Sequence, residues 1–299
     1  MCGIVGLYLK DKSLEPELGS MLASMLCVMT DRGPDSAGFA IYGQGNPDQV
    51  KLSLRTALDF DVSRLETELA DVSGGRPSVM KRATHTLLTI PAGKEAAVRS
   101  AIAARYPHIT VVGSGTRMEI FKEVGLPADV ASRFDLAHMT GTHGIGHTRM
   151  ATESAVTTDG AHPFSTGRDQ CLVHNGSLSN HAGVRRMLKH EGLTFTTDND
   201  SEVAAGYLSW RMQKGASLGE ALKESLDDLD GFYTFVVGTE SGFGVLRDPI
   251  ACKPAVMAET DRYVAFGSEY RALVNLPGVA NAKVWEPEPS TPYFWESAA

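Results

Sequence analysis

The chain of 299 residues is 42% hydrophobic and 21% charged, a globular balance long enough for one large domain or two ordinary ones. A net charge of −8 and a pI of about 5.6 argue against nucleic acid or an anionic membrane as the main partner. No apolar run approaches the roughly 18–20 residues that cross a bilayer, and the four cysteines, Cys2, Cys27, Cys171 and Cys252, show neither metal-type spacing nor a disulfide framework.

The first six residues, Met1-Cys2-Gly3-Ile4-Val5-Gly6, place a cysteine directly after the initiator methionine. Removal of Met1, which a small neighbouring side chain favours, would leave the Cys2 thiol and a free α-amine on one carbon. An α-amine has a reference pKa of about 7.7–8.0, so part of it is free base near neutrality and can take the thiol proton directly or through one water. On these six residues alone, an ordinary buried cysteine is an equal alternative. Ile4 and Val5 predict a strand. The apolar run then breaks at Lys10-Asp11-Lys12 without a basic lead, so no signal peptide is expected, and the setting expected is the reducing cytoplasm.

Leu18, Met21, Leu22, Met25, Leu26 and Met29 recur at helical spacing and predict a core-facing helix, with Cys27 inert beside it. The helix runs into Thr30-Asp31-Arg32-Gly33-Pro34-Asp35-Ser36-Ala37-Gly38, where Pro34 forbids continuation. Arg32 thus lies on a loop between a helix and a strand at 39–42, where functional groups are commonly presented. Texture changes over about 51–135. A charged exposed helix at 61–71, a strand at 82–90, an alanine-rich helix at 93–105, a strand at 109–113 and a helix at 116–124 predict a small inserted α/β lobe. Gly113 and Gly115 hint at a dinucleotide loop, but Met118 occupies the third glycine position and no ribose-binding acid follows, so packing or docking is the better reading.

Residues 142–152 read as a strand leaving into a loop. His143 and His147 are four apart, but a strand lacks the helical face that such metal spacing needs, so zinc is disfavoured even with His138, His162 and His174 in the sequence. His162-Pro163-Phe164 reads as a turn. A strand at 170–174 empties into Asn175-Gly176-Ser177, and Asp200 or Ser201 is expected to cap a helix bearing Val203, Ala204, Tyr207 and Leu208. A helix at 217–229 and strands at 231–237, 244–247 and 263–266 follow; Asp227, Asp228 and Asp230 lack the spacing of a calcium loop. The last twenty residues are proline-rich, contain Trp285 and Trp295, and are expected to wrap over a neighbour or a partner.

In this order the motifs resemble the class II glutamine amidotransferases, whose glutaminase domain is an N-terminal-nucleophile (Ntn) hydrolase. The matching pieces are Cys2-Gly3-Ile4-Val5-Gly6, Arg32 to Gly38, Gly146-His147-Thr148-Arg149 with Thr152, His174-Asn175-Gly176 and Asp200-Ser201-Glu202, with looser agreement at Arg247-Asp248-Pro249 and Ser268-Glu269. They cover roughly 2–43 and 141–275. The resemblance implies an α+β, four-layer αββα sandwich over 2–275, interrupted by the inserted lobe, with a tail at 276–299. It implies Cys2 as nucleophile, Asn175 and Gly176 as oxyanion donors, Arg32 ordering the terminus, Arg149 with Thr152 and Met150 at the substrate carboxylate, and Asp200 at the substrate ammonium. Met150 and Glu153 stand where several relatives carry an aromatic residue and a histidine.

Length and insertion look most like the separate glutaminase-type component of glutamate-synthase-related systems, including that of N-methylglutamate synthase. That likeness implies glutamine or γ-glutamylmethylamide as substrate, and a hetero-oligomer with glutamate-synthase-like companions carrying flavin and an iron–sulfur cluster. No cofactor is expected on this chain. The alternatives are a free-standing amidohydrolase, or a silent glutamine-binding scaffold or sensor that keeps Met1.

Overall fold

The computed structural model describes residues 2–151 and 155–296. The chain opens with β1 (Gly3–Leu9), whose seven residues are all buried because both of its faces are covered. Side chains alternate across a strand, and here Val5, Leu7 and Leu9 join one apolar cluster while Ile4 and Tyr8 join another. Helix α1 (Leu18–Val28) lies on the first face; its predicted stripe from Leu18 to Met29 is buried there. A short 3-10 turn at Thr30–Arg32 leads into β2 (Ser36–Tyr42), which starts three residues earlier than its apolar run suggests.

The inserted lobe follows as β3 (Gln49–Arg55), α2 (Val62–Ser73), β4 (Ser78–Arg82), β5 (His85–Pro91), α3 (Glu95–Arg105) and β6 (Thr110–Gly115). Its four strands form their own antiparallel sheet in the order β4-β5-β3-β6, a split βαββαβ unit. Leu65 and Leu69 of α2 and Val98 and Ile102 of α3 cover Val50, Leu52 and Leu54 of β3. The strand expected at 82–90 is β5, which starts at His85 after a tight turn from β4, a strand the sequence reading did not include, and the charged helix is exposed on one face only.

The segment at 116–124 is not a helix. It is β7 (Met118–Val124), paired residue for residue with β2 (Phe39↔Phe121, Ala40↔Ile120). Its apolar residues sit on both sides: Met118 and Ile120 face the centre of the molecule, and Phe121 packs on Phe39 on the other side. Period two fits that burial and a helical period does not. The lobe therefore ends at β6, and α4 (Pro127–Arg133), within the range expected for the lobe, packs instead beside α1.

The rest of the chain is β8 (His143–Arg149), β9 (Phe164–Gly167), β10 (Gln170–Leu178), α5 (His181–His190), α6 (Asp200–Gln213), α7 (Leu218–Asp228), β11 (Gly231–Gly238), β12 (Gly242–Arg247), β13 (Val256–Glu259), β14 (Tyr263–Gly267), β15 (Lys283–Trp285) and β16 (Tyr293–Glu296). A seven-stranded sheet runs β15-β13-β14-β1-β8-β2-β7, and a five-stranded sheet runs β16-β12-β11-β10-β9. Helices α1 and α4 cover the first sheet, and α5, α6 and α7 cover the second. Ile4, Ile145, Val173, Val236 and Phe266 fill the space between the sheets. This is the four-layer αββα arrangement, each sheet apolar on both faces. The C-terminal segment is no loose tail: β15 pairs with β13, and β16 pairs with β12, so it closes an edge of each sheet.

Candidate active site

Cys2 stands at the mouth of the gap between the sheets, placed there by β1. Gly3 pairs with Thr148 of β8, and a Cβ on Gly3 would lie 2.7 Å from Thr148 Oγ1 and 2.8 Å from Met29 Cβ, so no larger residue fits that approach. The next residue is anchored reciprocally: Ile4 N–H donates to Ser268 Oγ and Ser268 N–H to the Ile4 carbonyl, both at 2.9 Å. The Cys2 carbonyl accepts from Arg32 Nε at 2.9 Å and from Asn175 Nδ2 at 3.2 Å. Arg32, buried, also pairs with Glu269 at 2.6 Å, and Glu269 is shared with Arg271. The Arg32 hydrogen bond, more than any other contact, holds the Glu269 carboxyl below its usual range. Backbone and side chains thus fix Cys2 in direction.

Opposite lies the end of β10. Asn175 is buried, and Gly176 has φ +152°, a conformation that favours glycine; a Cβ there would also meet the Phe232 carbonyl oxygen at 2.0 Å. Asp200 opens α6, but the capping residue is Asn199, whose side chain accepts from Ser201 N–H at 2.8 Å; neither Asp200 nor Ser201 is the cap. Asp200 Oδ2 instead accepts from Leu178 N–H at 2.9 Å, which turns the carboxylate toward the β10 corner. Arg149 ends β8, is buried, and reaches the Ala155 carbonyl at 3.3 Å. Asp35 braces this stretch from below: its N–H donates to the Arg149 carbonyl at 3.1 Å, and its Oδ2 accepts from Ala151 N–H at 2.8 Å.

A cavity of about 750 Å³ is lined jointly by Cys2, Arg149, Met150, Asn175, Gly176 and Asp200. Six of the residues named from the sequence, spread over nearly 200 positions, therefore share one hollow. Arg32 sits behind Cys2 rather than on the wall, and Thr152 and Glu153 lie outside the described residues. The wall also includes Phe232 and Lys253, which the sequence did not single out, Ser201, expected only as a possible helix cap, and His162 and His174, weighed only for the disfavoured zinc. Asp35 falls within a quoted motif, yet nothing local marks it as a brace. Among the described residues, no three His, Cys, Asp or Glu side chains converge as a metal site. Gly113 and Gly115 lie on β6, and the turn after them enters β7 rather than a helix, which removes the dinucleotide reading.

Burial, before any other influence, pushes His85, His143 and His147 down to about 3, and His162 and His174 are also lowered by it. For a base whose folded pKa lies below its unfolded value of about 6.5, the unfolded chain takes up protons first as pH falls. The stability these rings contribute is complete above pH 6.5 and is lost on the way toward 3. Each of the first three is expected to remove about 1 kcal/mol between pH 6.5 and 5.5, a window in which ordinary carboxylates stay ionised. Urea unfolding at both values checks this; equal stability would refute it.

The family model of the glutamine amidotransferase domain matches residues 147–275. The glutamine amidotransferase-like protein GlxB of Rhizobium meliloti (strain 1021) is 63% identical over 297 residues, 99% of this chain and 98% of that protein. A protein of Methanothermobacter thermautotrophicus, provisionally named a glutamine amidotransferase, is 34% identical over 284 residues, 91% of this chain and 93% of its own length. The fold matches the glutamine phosphoribosylpyrophosphate amidotransferase of B. subtilis complexed with ADP and GMP, with a TM-score of 0.59 at 19% identity, over 99% of this chain and 49% of that one. It also matches a structure described as the allosteric regulatory enzyme of purine biosynthesis, with a TM-score of 0.63 at 20% identity, over 99% of this chain and 47% of the other. The chain spans about half the length of both solved proteins, and at such identity they speak for the Ntn sandwich alone. With an αββα sandwich and full-length similarity to relatives named for it, this chain belongs to the glutamine amidotransferase family.

Proposed function

We propose that the chain is the amide-hydrolysing component of a larger system and that Cys2, freed of Met1, is its nucleophile. The supporting observation is the convergence of Cys2, Asn175, Gly176, Arg149 and Asp200 on one cavity. In this reading the α-amine takes the Cys2 thiol proton, and the sulfur attacks the side-chain amide carbon of glutamine or of γ-glutamylmethylamide. Negative charge develops on the carbonyl oxygen, and the Asn175 side-chain amide and the Gly176 N–H stabilise it. The protonated α-amine returns its proton to the departing nitrogen, the C–N bond breaks, and ammonia or methylamine leaves a γ-glutamyl thioester. The α-amine then takes a proton from water as the water oxygen adds to the thioester carbon. The C–S bond breaks, the sulfur takes that proton back, and glutamate departs.

Arg149 presents a buried guanidinium suited to bidentate contact with the α-carboxylate, Asp200 meets the α-ammonium, and Met150 lines the same wall. Two opposite fixed charges select a free amino acid over a general amide. Arg32 acts on the terminus, through the Cys2 carbonyl, without touching substrate. The released amine passes to a glutamate-synthase-like companion that carries flavin and an iron–sulfur cluster.

The experiment is to follow glutamate release from glutamine and γ-glutamylmethylamide side by side, with the purified protein and with the complex it isolates with. Release from either amide is expected, faster in the complex. Absence of release from both, by a protein whose mass confirms loss of Met1, would overturn the reading.

A further inference from the structure

At the cavity wall, one hydroxyl ties three segments together. Ser201 Oγ lies 2.8 Å from His162 Nε2, 2.8 Å from His174 Nδ1 and 3.4 Å from Asp200 Oδ1. His174 Nδ1 is itself 3.8 Å from Asp200 Oδ1. His147 Nε2 donates to the His174 carbonyl at 3.0 Å, and its ring stacks on His162 with centroids 3.9 Å apart. None of these three imidazoles, nor Ser201, is more than 5% exposed.

The partners come from separate parts of the site. His174 immediately precedes Asn175 and Gly176 on β10, Ser201 follows Asp200 on α6, and His147 lies two residues before Arg149 on β8. His162 belongs to the connection between β8 and β9, which Lys122 tethers by donating to the carbonyls of Asp159, Ala161 and Pro163 at 3.2, 2.7 and 3.3 Å. A serine hydroxyl has one proton and two lone pairs; with the proton aimed at Asp200 Oδ1, it accepts from an N–H of each imidazole. Each ring is thereby held in the tautomer whose proton faces Ser201, His162 on Nε2 and His174 on Nδ1. The other ring nitrogens of His162 and His174 are buried with no hydrogen-bond partner among the described residues, so loss of the shared hydroxyl is costly to both.

We propose that Ser201 is a positioning residue whose hydroxyl, shared by His162 and His174, sets the Asp200 carboxylate against the Asn175–Gly176 corner and so couples capture of the substrate ammonium to turnover of its amide. This rests on the amide-hydrolysing reading above. The charged and titratable groups acting on His174 are Asp200 from α6 and Lys253 from the β12–β13 connection, with His162 and His147 beside it; those acting on His162 are His147, His174, Lys122 and Arg149. Burial, the largest influence on both rings, lowers their pKa. A proton on His174 would set a cation beside Asp200 in competition with the substrate ammonium. Removing the hydroxyl opens room for water and weakens that protection.

Ser201→Ala and Ser201→Thr test this. With glutamine, Ser201→Ala is expected to raise KM about tenfold, lower kcat at least threefold and move the acid limb of kcat/KM upward by about one pH unit. Ser201→Thr, which keeps the hydroxyl, should stay within about threefold of the parent. Parameters within twofold of wild type in Ser201→Ala, or equal damage in both variants, would overturn the proposal, the second result leaving only a packing role. Glutamine binding to Cys2→Ala protein, with and without Ser201→Ala, is read by calorimetry independently of hydrolysis; a tenfold weakening is expected, and unchanged affinity overturns the inference. Absence of hydrolysis by the wild type with this weakening intact would sink the parent reading alone. Should Ser201→Ala fail to fold, nitrogen-15 imidazole spectra of the wild type decide: neutral rings protonated on His162 Nε2 and His174 Nδ1 at pH 5.5 support the shared hydroxyl, and titration of both near 6.5 overturns it.

Discussion

Replacing Cys2 by alanine is expected to lower glutamate release by about 10⁴-fold or more, because removing the nucleophile of an acyl-transfer site leaves only binding and oxyanion stabilisation. The same substitution should scarcely disturb the fold. Cys2 is half-buried, and the contacts that hold it run through its carbonyl, to Arg32 and Asn175, rather than through sulfur. A midpoint of thermal unfolding close to wild type, together with the lost activity, separates chemistry from collapse. Retention of Met1 should have the same effect as the substitution, since an acylated nitrogen is no base; intact mass accompanying each rate measurement tells the two apart. Release above one hundredth of the wild-type rate from Cys2→Ala would rule out this thiol as nucleophile.

Asn175→Ala is expected to cost about 10²–10³ in kcat, near 3–4 kcal/mol of transition-state stabilisation, with KM for glutamine changed only a few-fold. The residue is buried at the cavity wall, where water cannot replace the lost donor. It also reaches the Cys2 carbonyl at 3.2 Å, so alanine loosens the attacking residue as well as the oxyanion site. Asn175→Asp should be worse: it keeps the shape, removes the donor and sets a negative charge where negative charge must grow. A fall in kcat of less than about fivefold for Asn175→Ala would assign the oxyanion role elsewhere.

Elements with a strong local period are legible in the chain itself. The stripe from Leu18 to Met29 is α1, and Ser217 to Glu220 closes a capping box at the start of α7. β7 is not legible in this way, because Met118, Ile120, Phe121 and Val124 fit a helical stripe nearly as well as a strand with two covered faces. Only Phe39 and Phe134 on one side, and the second sheet on the other, settle its period. The C-terminal segment departs from expectation for a related reason: β15 and β16 are three and four residues long and acquire strand character from β13 and β12.

Short-range patterning marked many of the elements, and the ordered motifs around Cys2, Arg149, Asn175 and Asp200, through the family resemblance they carry, implied the α+β sandwich and the residues that would meet in it. Packing in three dimensions was needed to show that the lobe stops at Gly115, that Arg32 and Asp35 brace the site from outside the cavity, and that Ser201 joins His162 to His174. The difference is one of range. Backbone preference and amphipathic period act over a few residues, whereas a hydrogen bond between positions 39 or 27 apart exists only after two sheets and a helix have packed and shut water out.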